Sequence, residues 1–192
     1  MDFGYYFNNS SGWAGNENSM IKPYKKFSVF DVSQGFHSGH QAIDCVSTYG
    51  KPLVAPENVL IGGIITPTNV SEDLGDLKNG YGVWMIGQET GDKYLYWHCL
   101  PVFPVWGGDI IEGGKIVAYM GNAGNVSVGG VYVPLEERTD KPYRGTHLHM
   151  VWFKNGVPHD PLPYLEKEPE YTFWDEIKAT GVVLTKIKLL LK

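Results

Sequence analysis

A chain of 192 residues, 43% hydrophobic and 19% charged, has the composition of one globular domain, too apolar for a disordered polymer and too polar for a membrane-embedded one. Its net charge of −5 lacks the basic excess that phosphate neutralisation needs, so no nucleic-acid partner is expected. No apolar run approaches the roughly 18 residues of a transmembrane segment, and 24 glycines with 12 prolines call for many turns, hence β structure.

Residues 1–25 mix polar turn formers such as Asn8-Asn9-Ser10-Ser11-Gly12 with aromatic residues and keep no sustained period, which predicts an irregular leader. Met1-Asp2-Phe3 opens without a basic segment, and no apolar stretch with a cleavage site follows, so no signal peptide is expected. From Phe27 the texture becomes short β-type runs: 27–30, 52–55, 59–65, 82–87, 94–100, 115–120 and 147–153, nearly all divided by Gly, Asn or Pro. Thr90-Gly91-Asp92-Lys93 predicts a hairpin connection between two of them. Together they predict a mainly β domain with an antiparallel sheet over residues 26–165. In the remaining tail, 166–192, Val183, Leu184, Ile187, Leu190 and Leu191 recur at helical spacing among Lys186, Lys188 and Lys192, predicting a short amphipathic C-terminal helix docked on its own domain or on a sister chain. Cys45 and Cys99 are too few for a disulfide framework. Each follows a candidate site residue, Asp44 or His98, so strand alternation sends the thiols to the opposite face, into the core.

The histidines carry the chemical signal. In Thr146-His147-Leu148-His149-Met150 the two imidazoles share one strand face about 6–7 Å apart, so one can bind a metal while the other reaches the atom beside it. His40-Gln41-Ala42-Ile43-Asp44 needs a bend, because a straight strand separates residues four apart by about 13 Å. Ser38-Gly39 and the small Ala42 permit His40 to sit on the preceding loop and Asp44 on the strand. Neutral imidazole and carboxylate suit Zn²⁺, and two imidazoles with one carboxylate leave a fourth position for water, as in catalytic rather than structural sites. Tyr94-Leu95-Tyr96-Trp97-His98-Cys99-Leu100 supplies a further element, with Tyr94, Tyr96 and His98 expected on one face. An unligated histidine there suits a proton-transfer or oxyanion-holding role. His37 offers a competing register with Asp44, and His159 is expected to be exposed.

The ordered set Gly39-His40-Gln41-Ala42-Ile43-Asp44, Gly50-Lys51-Pro52-Leu53-Val54-Ala55-Pro56, Tyr96-Trp97-His98-Cys99-Leu100, Gly121-Asn122-Ala123-Gly124-Asn125 and Gly145-Thr146-His147-Leu148-His149 closely resembles the lysostaphin-type zinc endopeptidases of the M23 family, over about Val32 to Leu165. The resemblance implies an antiparallel β-sheet groove of the duplicated hybrid motif type and hydrolysis of peptide bonds in bacterial peptidoglycan. By position it implies His40, Asp44 and His149 as Zn²⁺ ligands, His147 as the catalytic histidine of the pair, and His98 as a second catalytic histidine. The Gly-Lys-Pro-Leu-Val-Ala-Pro continuation favours His40 over His37, whose spacing resembles the D-Ala-D-Ala metallopeptidases. The family's glycine and proline are replaced by Ala42 and Thr146, neither of which removes a ligand. A tyrosine that some members place before the first ligand has no counterpart, Gln34 lying near that spot. The long segment from Gly121 to Gly145 is expected to wall the groove.

The resemblance implies a zinc-dependent endopeptidase whose substrate is a peptidoglycan peptide, with His147 and His98 dividing the proton transfers between them. The rival is a non-catalytic peptidoglycan-binding or virion structural module of the same fold; a zinc hydrolase of some other peptide is a third reading. Without a signal peptide, the expectation is a phage or prophage endolysin, carried on a virion or released on lysis, acting at the bacterial cell wall.

Overall fold

A computed structural model describes residues 19–66 and 80–172, with 175, 177 and 181. The first 18 residues and the C-terminal helix expected over 183–191 lie outside the described residues. In chain order the elements are β1 (Met20–Ile21), a 3-10 turn at Val29–Asp31, β2 (Val32–Gln34), β3 (Ile43–Cys45), β4 (Pro52–Val54), β5 (Val59–Ile65), β6 (Tyr81–Gly87), β7 (Lys93–Cys99), β8 (Ile110–Ile111), β9 (Ile116–Tyr119), β10 (Ser127–Val128) and β11 (Val131–Tyr132). The helix α1 (Leu135–Asp140), β12 (Leu148–Lys154), β13 (Val157–His159), a 3-10 turn at Leu162–Tyr164 and β14 (Leu165–Lys167) complete them. Among the described residues no helix is long and apolar enough to cross a membrane.

One large sheet organises the molecule, in the order β2-β3-β12-β7-β6-β5-β8 with β13 against β12, and its pairs are antiparallel. Strand alternation sends Ile43, Cys45, Tyr94, Tyr96, Leu148 and Met150 to one face, all buried in a single core. Leu53, Ala55, Val117, Ala118 and Met120, from the β4–β9 ladder and the chain beside it, fill the same core. Burying a side chain of the size of Leu148 or Met150 contributes about 1.5–3 kcal/mol. Both cysteines are free and buried; for Cys45 this follows from alternation with Asp44. Parallel pairing of β1 with β14 ties residues 20–21 to the far end of the domain.

The segment 27–30, read from sequence as a strand, is not one. Phe27 is buried, but Val29 is 60% and Phe30 92% exposed. The Ser28 amide donates to Asp31 Oδ2 at 2.8 Å and the Asp31 amide to the Ser28 carbonyl at 3.0 Å. These local bonds offer the backbone a tight turn in place of a ladder, the competition that Ser and Asp introduce wherever they flank a short apolar run.

Candidate active site

The opposite face of the large sheet carries the site, and register builds it. Gln34 on β2 pairs with Asp44 on β3, Asp44 with His149 on β12, and His149 with Trp97 on β7, one row across four neighbouring strands. Directly opposed residues on antiparallel strands bring their side chains together. That is why the Asp44 carboxylate and the His149 ring meet, Oδ1 to Nδ1, at 2.8 Å. His40 reaches the same point from outside the sheet. The chain doubles back at residues 37–40, where the His37 and His40 amides and carbonyls exchange hydrogen bonds at 2.9 Å, and the His40 ring returns over β3. The bend expected between His40 and Asp44 is therefore present. His37 stays exposed on that turn, with Nδ1 accepting from the Gly39 amide at 3.2 Å, so His40 and not His37 joins the site.

His98 arrives by a different route from the one alternation predicts. Tyr96 is wholly buried in the core, its hydroxyl donating to the Val54 carbonyl at 2.9 Å. Two residues later the His98 ring lies on the other side of the sheet, 4.5 Å from the His147 ring and 5.8 Å from the His149 ring, centroid to centroid. The β6–β7 register explains the change: Val83 pairs with Tyr96 but Tyr81 with Cys99, so β7 holds one residue more than β6 across that stretch. This is a β-bulge, and His98 takes a φ of 60° within it. The shared face expected for Tyr94, Tyr96 and His98 is thus corrected: the bulge flips the histidine into the groove and returns Cys99 to the core.

Main-chain carbonyls orient three of the four imidazoles. His40 Nδ1 lies 3.1 Å from the Gly35 carbonyl, His98 Nδ1 2.7 Å from that of Ala123, and His147 Nδ1 2.9 Å from that of Gly145. A carbonyl only accepts, so each Nδ1 carries its hydrogen and each neutral ring presents the Nε2 lone pair. Burial, helped by the adjacent His147, pushes His98 down to about 3. Burial likewise lowers His147. Burial would raise Asp44, but the His149 hydrogen bond and the charges of His147, His149 and His40 overcome it and hold the carboxyl below its ordinary value. At neutral pH the site therefore combines an ionised Asp44 carboxylate with neutral His98 and His147 rings.

Three of these atoms form a metal-site candidate: His40 Nε2, Asp44 Oδ1 and His149 Nδ1. His40 Nε2 is 3.3 Å from His149 Nδ1 and 3.3 Å from Asp44 Oδ1, and the third edge is the 2.8 Å already given. A tetrahedral ion with bonds of about 2.0–2.1 Å has ligand–ligand edges of about 3.3 Å, so the donor set has the size and the chemistry for Zn²⁺. A hydrogen on His149 Nδ1 bridges the shortest of these edges to Asp44, and a bound cation would take that hydrogen's place. His147 Nε2 sits 3.9 Å from Asp44 Oδ1, beside the triad rather than in it.

A groove of about 660 Å³ opens over these residues, in the range of ligand-binding clefts. Ser33, Gln34 and Val46 line one side; the tip of the β10–β11 hairpin, Ser127 to Gly130, and Tyr143 line the other. The segment from Gly121 to Gly145 thus contributes a wall. It also holds two features that sequence reasoning passed over: helix α1, and an Arg138 that is only 4% exposed. Glu136-Glu137-Arg138 looks like a solvated charge run, and nothing local signals the burial. His159 is exposed, its ring tilted against that of Trp152 with centroids 5.6 Å apart.

The sequence matches no protein-family model and no curated protein sequence. Solved structures do match. A peptidase M23 from Pseudomonas aeruginosa aligns with 86% of this chain and 56% of its own at 20% identity and a TM-score of 0.54. Csd3 from Helicobacter pylori aligns over 90% of this chain and 41% of its own at 17% identity and a TM-score of 0.52. The solution structure of lysostaphin aligns over 82% of this chain and 58% of its own at 16% identity and a TM-score of 0.52. This chain thus spans about half the length of each. Mainly β among its described residues, with one large antiparallel sheet and the short helix α1, the chain has the M23 peptidase fold. On that fold it carries a His–Asp–His triad sized for a metal.

Proposed function

We propose that the chain is a zinc-dependent endopeptidase hydrolysing peptide bonds in the stems or cross-bridges of bacterial peptidoglycan. The observation that carries the reading is the meeting of His40 Nε2, Asp44 Oδ1 and His149 Nδ1 at the floor of an open groove, with two further neutral imidazoles beside them. His40, Asp44 and His149 would hold Zn²⁺, which when bound lowers the pKa of water toward about 7 and stabilises oxyanion charge.

The chain's own residues then move the protons. His147, its Nδ1–H tied to Gly145, offers Nε2 as the base that takes a proton from the attacking water. His98 is held in the same tautomer, so as a neutral ring it also accepts at Nε2 and cannot donate there until it has gained a proton. Once protonated, a buried imidazole whose charged form is disfavoured is a strong acid, suited to delivering that proton to the departing amine or to hydrogen-bonding an oxyanion. Gln34, at the groove edge where a tyrosine is absent, supplies an amide that can contact the peptide.

The test is digestion of purified sacculi of several cross-bridge types, with and without a chelator, and mass analysis of the released peptides. New amino termini that appear only in the metal-replete reactions are expected. Tight binding to sacculi without cleavage, by protein that takes up no zinc, would replace the enzyme with a binding module. Delivery on a phage particle or by lysis is part of the proposal, and immunolabelling of virions against lysate supernatant tests it.

A further inference from the structure

Among the described residues, Arg138 is a buried cation that the groove chemistry does not use. It projects from the short helix α1, is 4% exposed, and donates from Nη1 to the carbonyls of both Asn122 and Gly124 at 2.7 Å. Between those two carbonyls in sequence stands the carbonyl of Ala123, which accepts the His98 Nδ1–H at 2.7 Å. Three consecutive carbonyls are thus shared, the outer pair by the guanidinium and the middle one by the imidazole. Charge-assisted bonds to the outer pair leave the intervening peptide little freedom to rotate. Gly124, at φ 84°, gives the backbone the turn that this arrangement needs. Asn122 is fixed in turn, its side-chain amide donating to the carbonyls of Pro142 and Arg144 at 3.0 and 3.1 Å.

Burying a guanidinium is expensive, and here it is incompletely repaid, since Nη2 is buried with no hydrogen-bond partner. Filling the space under α1 would be served as well by an apolar side chain. What an apolar side chain cannot do is hold two carbonyls on either side of a third.

We propose that Arg138 is a positioning residue for His98: by clamping the Asn122 and Gly124 carbonyls it fixes the Ala123 carbonyl that sets the tautomer and direction of the His98 ring. The role of His98 in hydrolysis rests on the function proposed above; the clamp itself does not. Lost alignment of a supporting contact of this kind typically costs 10–100-fold.

The experiment uses the zinc-loaded full chain with Arg138→Met, Arg138→Lys, His98→Ala and the double variants. Side-chain ¹⁵N spectra of the histidines, which need no turnover, are expected to show His98 with its hydrogen on Nδ1 in the parent chain and a mixture of tautomers in Arg138→Met. In hydrolysis, Arg138→Met should lower kcat by about 10-fold or more with KM within about twofold, and Arg138→Lys should recover part of the loss. In the His98→Ala background the same substitution should have no further effect on kcat. An unchanged His98 tautomer in folded Arg138→Met overturns the proposal, as does an equal kcat loss with and without His98. If Arg138→Met does not fold, Arg138→Lys is read by the same two criteria. Should the parent chain cleave nothing, the endopeptidase reading fails, and the tautomer spectra still decide the clamp.

Discussion

Tyr96 and His98 stand two residues apart on one strand and face opposite sides of the sheet, Tyr96 in the core and His98 in the groove. The extra residue that makes this possible puts His98 at φ 60°, where an L side chain is strained. Such strain persists only where the surroundings enforce it, here the Ala123 carbonyl, the adjoining histidines and the β6–β7 ladder. Two substitutions separate backbone from side chain. Both His98→Gly and His98→Ala remove the imidazole, but only glycine adopts this φ without penalty. His98→Gly is therefore expected to be more stable than His98→Ala by about 1–2 kcal/mol, the reverse of their usual order in a strand. Urea midpoints of the two variants check this, and a more stable alanine variant would mean that the bulge relaxes when the ring is gone.

The triad and its neighbours should separate by zinc content. Asp44→Ala and His149→Ala each remove a donor atom from the set, and zinc affinity should fall by more than about 100-fold, taking hydrolysis with it. His147→Ala leaves all three donor atoms in place; it should keep one equivalent of zinc and lose about 10²–10⁴ in hydrolysis. Metal analysis after dialysis, beside turnover of a soluble cross-bridge peptide, distinguishes the groups. Zinc lost from His147→Ala, or retained by His149→Ala, would exchange the roles assigned to these two residues.

How far the sequence could be read depended on whether local pattern or tertiary contact governs each part. The strands containing Val59, Tyr94 and Leu148 are apolar and aromatic runs divided by Gly, Asn or Pro and were legible as strands, as was the bend between His40 and Asp44, because four residues of straight strand cannot bring two ligands together. Alternation failed at His98, since a bulge adds one residue without a glycine to mark it. It failed at Phe30 because Ser28 and Asp31 close a turn around an apolar pair. The burial of Arg138 was illegible for a third reason: its partners are carbonyls of a loop at residues 122–124, and a carbonyl leaves no trace in residue type. The convergence of His98 with His147 and His149 was likewise visible only through resemblance, because distance along the chain says nothing about which strands are neighbours.

Gly121 is required by space rather than by dihedral. A Cβ there would lie 2.8 Å from the Leu100 amide nitrogen and 2.9 Å from both the Cys99 carbonyl carbon and the His98 oxygen, all main-chain atoms with no rotamer to relieve the clash. Gly121→Ala should force β7 away from the loop that carries Ala123, costing about 1–3 kcal/mol and lowering hydrolysis through His98. Gly35→Ala is the control, since a Cβ at that position meets nothing within 4 Å, and its stability should change by less than about 0.5 kcal/mol. Equal unfolding midpoints for the two variants would show that the β7–loop contact can yield.

Away from the groove, Glu57 should make stability fall as pH rises. Burial raises its pKa above the ordinary 4.5, and the charges of Asp92 and Glu89 add to that; the Tyr94 hydroxyl at 2.5 Å and the Thr90 hydroxyl at 2.7 Å oppose it without prevailing. Well below pH 4.5 the carboxyl is protonated in both folded and unfolded chains and contributes no penalty. As pH rises past the unfolded value, the unfolded chain releases its proton first, so it binds fewer protons than the folded chain and stability declines until the raised folded pKa has been passed. Glu57→Gln keeps a carbonyl oxygen for Tyr94 and Thr90 and removes the titration. The variant should match the parent at low pH and exceed it in Tm at pH 7, the gap opening only above the ordinary carboxylate value. Thermal melts across that range read the difference, and a variant that falls below its parent as pH rises through that range would show that the hydrogen bonds to an ionised Glu57 outweigh the cost of burying it.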